Sequence, residues 1–375
     1  MKEKAVIVLS DMVTAYGWGT DACWDNIIGN KTAVSTLSRF KTNAFASDCA
    51  ATIDGLKYHQ KDSLVMQMLG PLLHKAKAAI PEDAKLILAT TLGEIDLLEK
   101  EILEGGGDLS SSNLLCLLEK IYTIANIKDK GMIVSAACAS PSAAVAIAAA
   151  RIRNGLSDCI LLSACDSVTE FVFSGFSSLL ALDKKAARPF DKERCGLSLG
   201  EGAAFALIMS GSRARREKRE IIGEVAGWGM SDDAHHMTGP CQNSEGMVIA
   251  IKKALKSAGT DEDGISFIAA HGTGTAYNDA MEMKAFQAVF KHKKPVYSIK
   301  GGTGHTLGAA GLIEMIIAMR SLREKNTPPT VNLKQADDDA LGWVSSKQCY
   351  IGENAPMVLM TNAGFGGINA ALVLA

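Results

Sequence analysis

The sequence predicts an α/β fold with buried sheets, organised as two related halves. Three observations carry this. Short β-branched runs alternate with helical patterns along the whole chain. Those runs are continuously apolar rather than alternating, the mark of strands covered on both faces. A polar, strongly basic stretch, Gly211–Glu220 (GSRARREKRE), interrupts the chain, and each side of it carries a similar allotment of strands and helices. The halves are therefore drawn at residues 1–215 and 216–375.

In chain order, Ala5–Leu9 (AVIVL) reads as the first strand, Ser63–Ala79 as a helix, and Leu86–Thr91 (LILATT) as the next strand. A helix over Leu97–Leu103 and a flexible glycine loop over Glu104–Asp108 (EGGGD) follow. Met132–Ala136 (MIVSA) is a strand, Ala143–Arg153 a helix, and Ile160–Ala164 and Ala203–Met209 are strands. The second half repeats the mixture. It has strands over Ile221–Ala226, Phe267–Ala270, Val296–Ile299, Met357–Thr361 and Ala371–Leu374. Its helices are Gly246–Ala258, Met281–Phe290 and Ala309–Leu322.

Composition narrows the function classes. With 375 residues and 47% hydrophobic side chains, a sizeable core forms and wholesale disorder is excluded. The balance of 41 Asp+Glu against 39 Lys+Arg removes the electrostatic footprint of a nucleic-acid binder. Ala5–Leu9 is too short for a signal sequence, and the longest apolar run, Ala143–Ala150, falls far below the ~20 residues that span a bilayer. The expectation is a soluble, cytoplasmic protein with no membrane or nucleic-acid partner. The basic stretch Gly211–Glu220 reads either as a site for an acidic partner or as a solvated helix end.

The nine cysteines contain no C-x-x-C pair, so neither a disulfide framework nor a zinc site is indicated. Most read as small buried hydrophobes. Cys138 differs. In Val134–Ser142 (VSAACASPS) a strand ends, the cysteine occupies the turn, and Pro141 with an alanine run opens a helix. Free N–H groups and the helix dipole there stabilise a thiolate, as in a nucleophile elbow with sulfur in place of oxygen.

Among the seven histidines, His59, His74, His235, His236 and His292 lie in polar or amphipathic segments and read as ordinary. His271 and His305 each follow a strand within Gly/Thr loops, AAHGTGTAYND and SIKGGTGHTLGAAG. Such loops allow close approach of backbone to ligand. The second loop lacks the order of a phosphate-binding P-loop. No carboxylate or further histidine is spaced to complete a metal site. One cysteine with two imidazoles is not a protease set, which needs one histidine as base and an Asn or Asp to orient it. Two N–H donors suit stabilisation of an enolate oxygen during carbon–carbon bond formation.

These segments resemble the β-ketoacyl-acyl carrier protein synthases, specifically the elongating Cys-His-His ketosynthases. The likeness runs nearly end to end. It includes Trp24–Val34, Arg39–Ala46, VSAACASPSAA around Cys138, Ser174–Leu182 and RPFDKERCGLSLGEGA (Arg188–Ala203). It continues through SDDAHHMTGP (Ser231–Pro240), both histidine loops, Pro328–Leu333 and Gly364–Asn369, in the family's order. The resemblance implies the thiolase fold, two similar α/β halves in a five-layered αβαβα core, and a homodimer or a heterodimer with a related ketosynthase-like subunit. It implies Cys138 as acyl-accepting nucleophile and His271 with His305 as the pair that holds the malonyl thioester carbonyl. Lys300 and Glu314 are implied to form a charged pair that fixes His305. The N–H groups of Cys138 and Phe365 would form the oxyanion hole, with Phe365 also the gate. Thr273 and Thr275 would bind the phosphopantetheine arm, with Thr238 near the malonyl entrance and Arg188 receiving the acyl carrier protein. No metal or resident cofactor is implied, because the phosphopantetheine arrives on the carrier. Within the same resemblance, a starter-unit synthase or acyltransferase and a subunit of a ketosynthase–chain-length-factor pair are the alternatives.

The chain departs from the family in two places. It is shorter between Leu92 and Lys130, a region that shapes the acyl pocket and dimer contact. Its C-terminal loop reads NAGFGG, one residue shorter than the usual NSFGFGG, with Ile368 at a position where threonine is common. The expectation is altered gating and a specialised pathway.

Overall fold

The computed structural model describes residues 3–58, 61–105, 112–352 and 357–375. The expected glycine loop falls partly outside them, at 106–108, as does His59. The first half supplies strands β1 (Ala5–Thr14), β2 (Lys85–Ala89), β3 (Met132–Val134), β4 (Cys159–Asp166) and β5 (Gly202–Ser210). The second supplies β6 (Gly223–Asp232), β7 (Ile265–Ala269), β8 (Val296–Tyr297), β9 (Met357–Gly364) and β10 (Ile368–Leu374). All lie on one path, β8-β7-β9-β10-β6-β1-β5-β4-β2-β3.

Outward from the central β1/β6 pair, the two halves run in the same order: first, fifth, fourth, second, third. The seam is short and antiparallel, Val6 opposite Glu224 and Ile7 opposite Gly223. The strand directions match as well. β2 is parallel to β3 and β4, while β7 is parallel to β8 and β9. Parallel neighbours need crossovers, and helices supply them. In order these are α1 (Leu64–Ala76), α2 (Leu114–Ala125), α3 (Ser140–Arg153), α4 (Glu170–Ser178), α5 (Glu245–Ala258), α6 (Ala276–Val289) and α7 (Ala310–Glu324).

Three apolar clusters mark the layers. The side chains of α3 and α7 fill the space between the two half-sheets. Helices α1 and α2 cover the outer face of the first half, and α5 and α6 the outer face of the second. The result is the five-layered αβαβα arrangement expected from the resemblance. A helix buried all round cannot carry a polar face. α3 (SPSAAVAIAAARIR) meets this with alanine, and α7 (AGLIEMIIAMRSLRE) keeps its charges mostly to its last turns.

Several elements run differently from expectation: β1 continues past Leu9 to Thr14, and α6 begins at Ala276 rather than Met281. The strand expected to stop at Ala226 continues as β6 to Asp232 through Gly227 and Gly229. Helix α5 lies directly on these glycines. A Cβ on Gly229 would stand 2.1 Å from the Ala250 carbonyl oxygen, and one on Gly227 2.4 Å from that of Ala254. Glycine here is a packing requirement rather than a strand terminator. Helix α1 starts at Leu64 because Ser63 caps it, its hydroxyl accepting the Met66 N–H, and tolerates Pro71 within it.

Candidate active site

Cys138 follows β3 and precedes α3, while His305 follows β8 and precedes α7. These are equivalent places in the two halves, and the first turns of the two helices meet. A Cβ on Gly311 would stand 2.7 Å from Ser142 Oγ and 3.3 Å from Pro141. The duplicated topology thus brings a cysteine and a histidine 167 residues apart in sequence numbering to one cavity.

The nucleophile turn is held by Ser140. Its hydroxyl accepts the Ala136 N–H at 2.8 Å and donates to the Ala137 carbonyl at 2.5 Å. Ala137 takes φ 47°, the left-handed region that a residue other than glycine occupies only when its surroundings enforce it. This presents Cys138 just ahead of the first turn of α3. The N–H groups of Phe365 and of Cys138 itself are directed at the sulfur. Gly364 packs on the same turn, where a Cβ would lie 3.1 Å from the Ala136 oxygen.

One electrostatic expectation is corrected. The setting does not leave Cys138 a thiolate at rest. Burial dominates and pushes its thiol up to about 12, while the Lys300 ammonium and the two N–H groups pull only partly the other way. These few donors do not replace the water that a thiolate would lose on burial.

His271 and His305 stand edge to face, ring centroids 5.2 Å apart. Both are buried, and burial, with Lys300 close by, holds both imidazoles well below their usual range, so both are neutral. Their tautomers follow from their partners. At His305, Nδ1 accepts the Leu307 N–H at 3.2 Å, aimed there by a left-handed turn at Leu307. At His271, Nδ1 faces two donors, Lys300 Nζ at 3.2 Å and Asn362 Nδ2 at 3.3 Å. In each ring Nδ1 is therefore the acceptor and Nε2 carries the proton.

The role expected for Lys300 and Glu314 is also corrected. They do pair, but they hold His271 rather than His305. Lys300 Nζ additionally donates to the His271 carbonyl at 2.5 Å, and Glu314 accepts from both Lys300 and Asn362, the latter at 2.7 Å. The cause is topological: Lys300 begins the short segment after β8 and reaches sideways to the neighbouring β7 end, where His271 sits. His305 is tied instead across the halves, its N–H donating to the Ser198 carbonyl at 2.7 Å and its carbonyl accepting the Gly200 N–H at 3.0 Å.

Asn362 escaped the sequence reading, although a carboxamide inside the apolar run MVLMTNAG was a usable signal, since a buried amide demands partners. Its oxygen accepts from Ser142 in the first turn of α3, which orients the nitrogen toward His271 and Glu314. Two carboxylates were missed as well. Glu282 accepts the N–H groups of His271 and Gly272 at 2.9 and 2.7 Å, and burial raises it to about 7. Asp279 accepts the Thr273 N–H at 3.0 Å and the Phe190 N–H at 2.7 Å. Together they shape the His271 loop.

One cavity of about 390 Å³ joins these groups to the surface. Cys138, His271, His305, Thr273, Thr275, Thr238 and Phe365 all line it. The Thr273 and Thr275 hydroxyls are 2.9 Å apart, and Phe365 stacks on Phe176 at 5.7 Å. Its lining also includes two residues read as ordinary, His236 and Cys195. Cys195 is exposed, and Cys49, Cys116, Cys241 and Cys349 are only half-buried, so the core-filler reading holds for Cys23, Cys159 and Cys165 alone. Arg188 does not present a free guanidinium: it bonds the Glu193 carboxylate at 3.1 Å and carbonyl at 2.5 Å and lies 3.6 Å from Asp191. Among the described residues, no cluster of His, Cys, Asp or Glu is arranged to hold a metal ion, and no helix is long and apolar enough to cross a membrane.

Two family models match, the beta-ketoacyl synthase N-terminal domain over residues 123–214 and its C-terminal domain over residues 222–334. The chain is 28% identical to 3-oxoacyl-[acyl-carrier-protein] synthase 2 of Coxiella burnetii, over 100% of this chain and 98% of that protein. It is 29% identical to the tetracenomycin polyketide synthase ketoacyl synthase alpha subunit of Streptomyces glaucescens, over 100% and 97%. Among solved structures, the ishigamide ketosynthase/chain length factor superposes with a TM-score of 0.87 at 26% identity, covering 100% of this chain and 99% of that one. With an elbow cysteine, two neutral imidazoles in one cavity and both domain models matched in order, the chain belongs to the β-ketoacyl synthase family.

Proposed function

We propose that the chain is a β-ketoacyl-acyl carrier protein synthase that lengthens a carrier-bound acyl group by two carbons. The observation that carries this reading is the pair of neutral imidazoles, each bonded at Nδ1 and bearing its proton on Nε2, beside Cys138 in one buried cavity. A hydrolase would want one imidazole free to accept a proton from the thiol. Two fixed donors instead suit an oxygen that gains negative charge.

In the transfer step the Cys138 sulfur attacks the acyl thioester carbonyl of the carrier's arm. The N–H groups of Cys138 and Phe365 hold the oxyanion, and the thiol proton leaves with the departing pantetheine sulfur. In the condensation step a malonyl thioester places its carbonyl oxygen against His271 and His305. Its carboxylate departs as CO2, favoured by apolar surroundings that solvate the charge poorly. The electron pair left behind becomes an enolate held by the two Nε2–H donors. The enolate carbon then attacks the acyl-Cys138 carbonyl, the C–S bond breaks, and the released sulfur takes a proton. Thr273, Thr275 and Thr238 contact the arm and the malonyl group in this reading, and Phe365 on Phe176 gates the acyl chain. Neither a metal nor a cofactor of the chain's own takes part.

The protein works in the cytoplasm, as a homodimer or with a related ketosynthase-like subunit. The edge of β3, unpaired among the described residues and beside exposed Met132 and Leu115, is the side on which a second subunit fits. Intact-mass measurement after incubation with acyl and malonyl carrier proteins tests the reading. The expected result is an acyl adduct on wild-type protein, none on Cys138→Ala, and release of a β-ketoacyl carrier two carbons longer. An adduct without CO2 release from malonyl carrier would identify a starter-unit acyltransferase instead.

A further inference from the structure

The strands of the two halves correspond residue by residue. At the ends of β2 and β4, Ala89 pairs with Ala164; at the ends of β7 and β9, Ala269 pairs with Met360. Two residues further along each strand, Thr91 and Asp166 therefore occupy the places of His271 and Asn362. Asn362 accepts from Ser142 across the halves and directs its nitrogen at His271. Asp166 makes the equivalent connection in the opposite direction. Its Oδ2 accepts the Gly308 N–H at 2.6 Å, in the turn between His305 and α7, and the Thr91 N–H at 3.0 Å. Its Oδ1 accepts from the Thr90 hydroxyl at 2.7 Å and from the Leu92 N–H at 3.3 Å, and the Thr91 hydroxyl donates as well.

Asp166 is buried, and each of these five donors is neutral. A buried carboxylate set among donors alone is a fixed acceptor, and it holds in place whatever it bonds. Here it bonds the residue next to the partner of His305. Leu307, at φ 51°, donates its N–H to His305 Nδ1 at 3.2 Å. A leucine keeps that left-handed backbone only where its surroundings enforce it. The following N–H, that of Gly308, is pinned by Asp166. The approach is close: a Cβ on Gly308 would stand 2.4 Å from Asp166 Oδ2 and 2.7 Å from the Thr91 nitrogen. We propose that Asp166 is a positioning residue for the condensation: through Gly308 it fixes the Leu307 N–H on His305 Nδ1, and so keeps the His305 proton on Nε2. Asn362 and Asp166 then perform one task in the two halves, each fixing the proton-bearing nitrogen of one imidazole. The proposal rests on the reading of the chain as a β-ketoacyl synthase.

Asp166→Asn sets an amide nitrogen among donors and breaks part of this arrangement. The two half-reactions separate positioning from folding, because only malonyl decarboxylation uses His305, whereas acyl transfer to Cys138 uses backbone N–H groups. For CO2 release from malonyl carrier protein, the expected kcat falls about tenfold or more while KM moves less than about twofold. Acylation of Cys138, read by intact mass, slows less than about threefold. Nitrogen NMR of histidine-labelled protein gives a second readout. His305, identified by the loss of its signal in His305→Gln, changes from Nε2–H alone to a mixture of tautomers, while His271 keeps its own. Thr91→Val removes one hydroxyl donor from a half-buried side chain. It gives the same pattern at about threefold, and carries the test if Asp166→Asn does not fold. Unchanged CO2 release, equal losses in both half-reactions, or an unaltered His305 tautomer overturns the assignment. Failure of the wild-type protein in both half-reactions overturns instead the reading on which it rests.

Discussion

The Cys138 thiol carries its proton in the resting protein, because burial outweighs the positive end of a helix and the Lys300 ammonium. A thiol near 12 is ionised only to about one part in ten thousand at pH 8, so alkylation by iodoacetamide should accelerate about tenfold per pH unit from pH 7 to 10 without levelling off. A plateau below pH 8 would show a stabilised thiolate. Lys300→Met removes the nearest cation and should slow alkylation at every pH in that range. At His271 the critical detail is which nitrogen bears the proton. Asn362→Ala removes one of the two donors at Nδ1 and leaves Glu314 and Ser142 with an unmet partner each. Malonyl decarboxylation should fall by about 10²–10³, the loss typical of a misplaced oxyanion donor. Acyl transfer to Cys138 should fall far less, since its oxyanion is held by backbone N–H groups. Equal losses in both half-reactions would mean that Asn362 only supports the fold.

Two kinds of element decide whether the site forms. The central helices α3 and α7 present their first turns to one another, and the alanines of the first and the glycine at its contact with the second permit that approach. On the outside, β6 and α5 lie in direct backbone contact at Gly227 and Gly229. Gly229→Val therefore forces the helix away from the strand, and overpacking of this kind costs at least about 1–3 kcal/mol. Thermal unfolding should occur several degrees lower than in the wild type. An unchanged midpoint would mean that α5 rides more loosely on the sheet than the 2.1 Å between the Ala250 oxygen and a Cβ placed on Gly229 implies.

Across the whole molecule, the duplicated strand order turns two distant loops into one site. Position for position, the turn after β3 offers a nucleophile and the turn after β8 an imidazole, and the β7 loop adds the second imidazole from the side. The residue types were legible in the chain because their local grammar is strong: a strand, a small-residue turn, then proline and alanine at Cys138, and strand-end histidines among Gly and Thr. The element order was legible for the same reason, since apolar runs and helical periods are local patterns. The shared sheet order of the two halves was not, because pairing is made between segments far apart in sequence. Nor was the partner of Lys300, which depends on β7 and β8 being neighbours. The ionisation of Cys138 was misread because local pattern reports the dipole and the N–H groups, whereas burial comes from both halves together. By itself the sequence determined which chemical groups the protein owns and in which local settings. Only the tertiary structure decided which imidazole each donor holds, how dry the thiol is, and which side chains stand at the entrance. Those depend on three-dimensional neighbours and on the water they exclude, neither of which is written in any one segment.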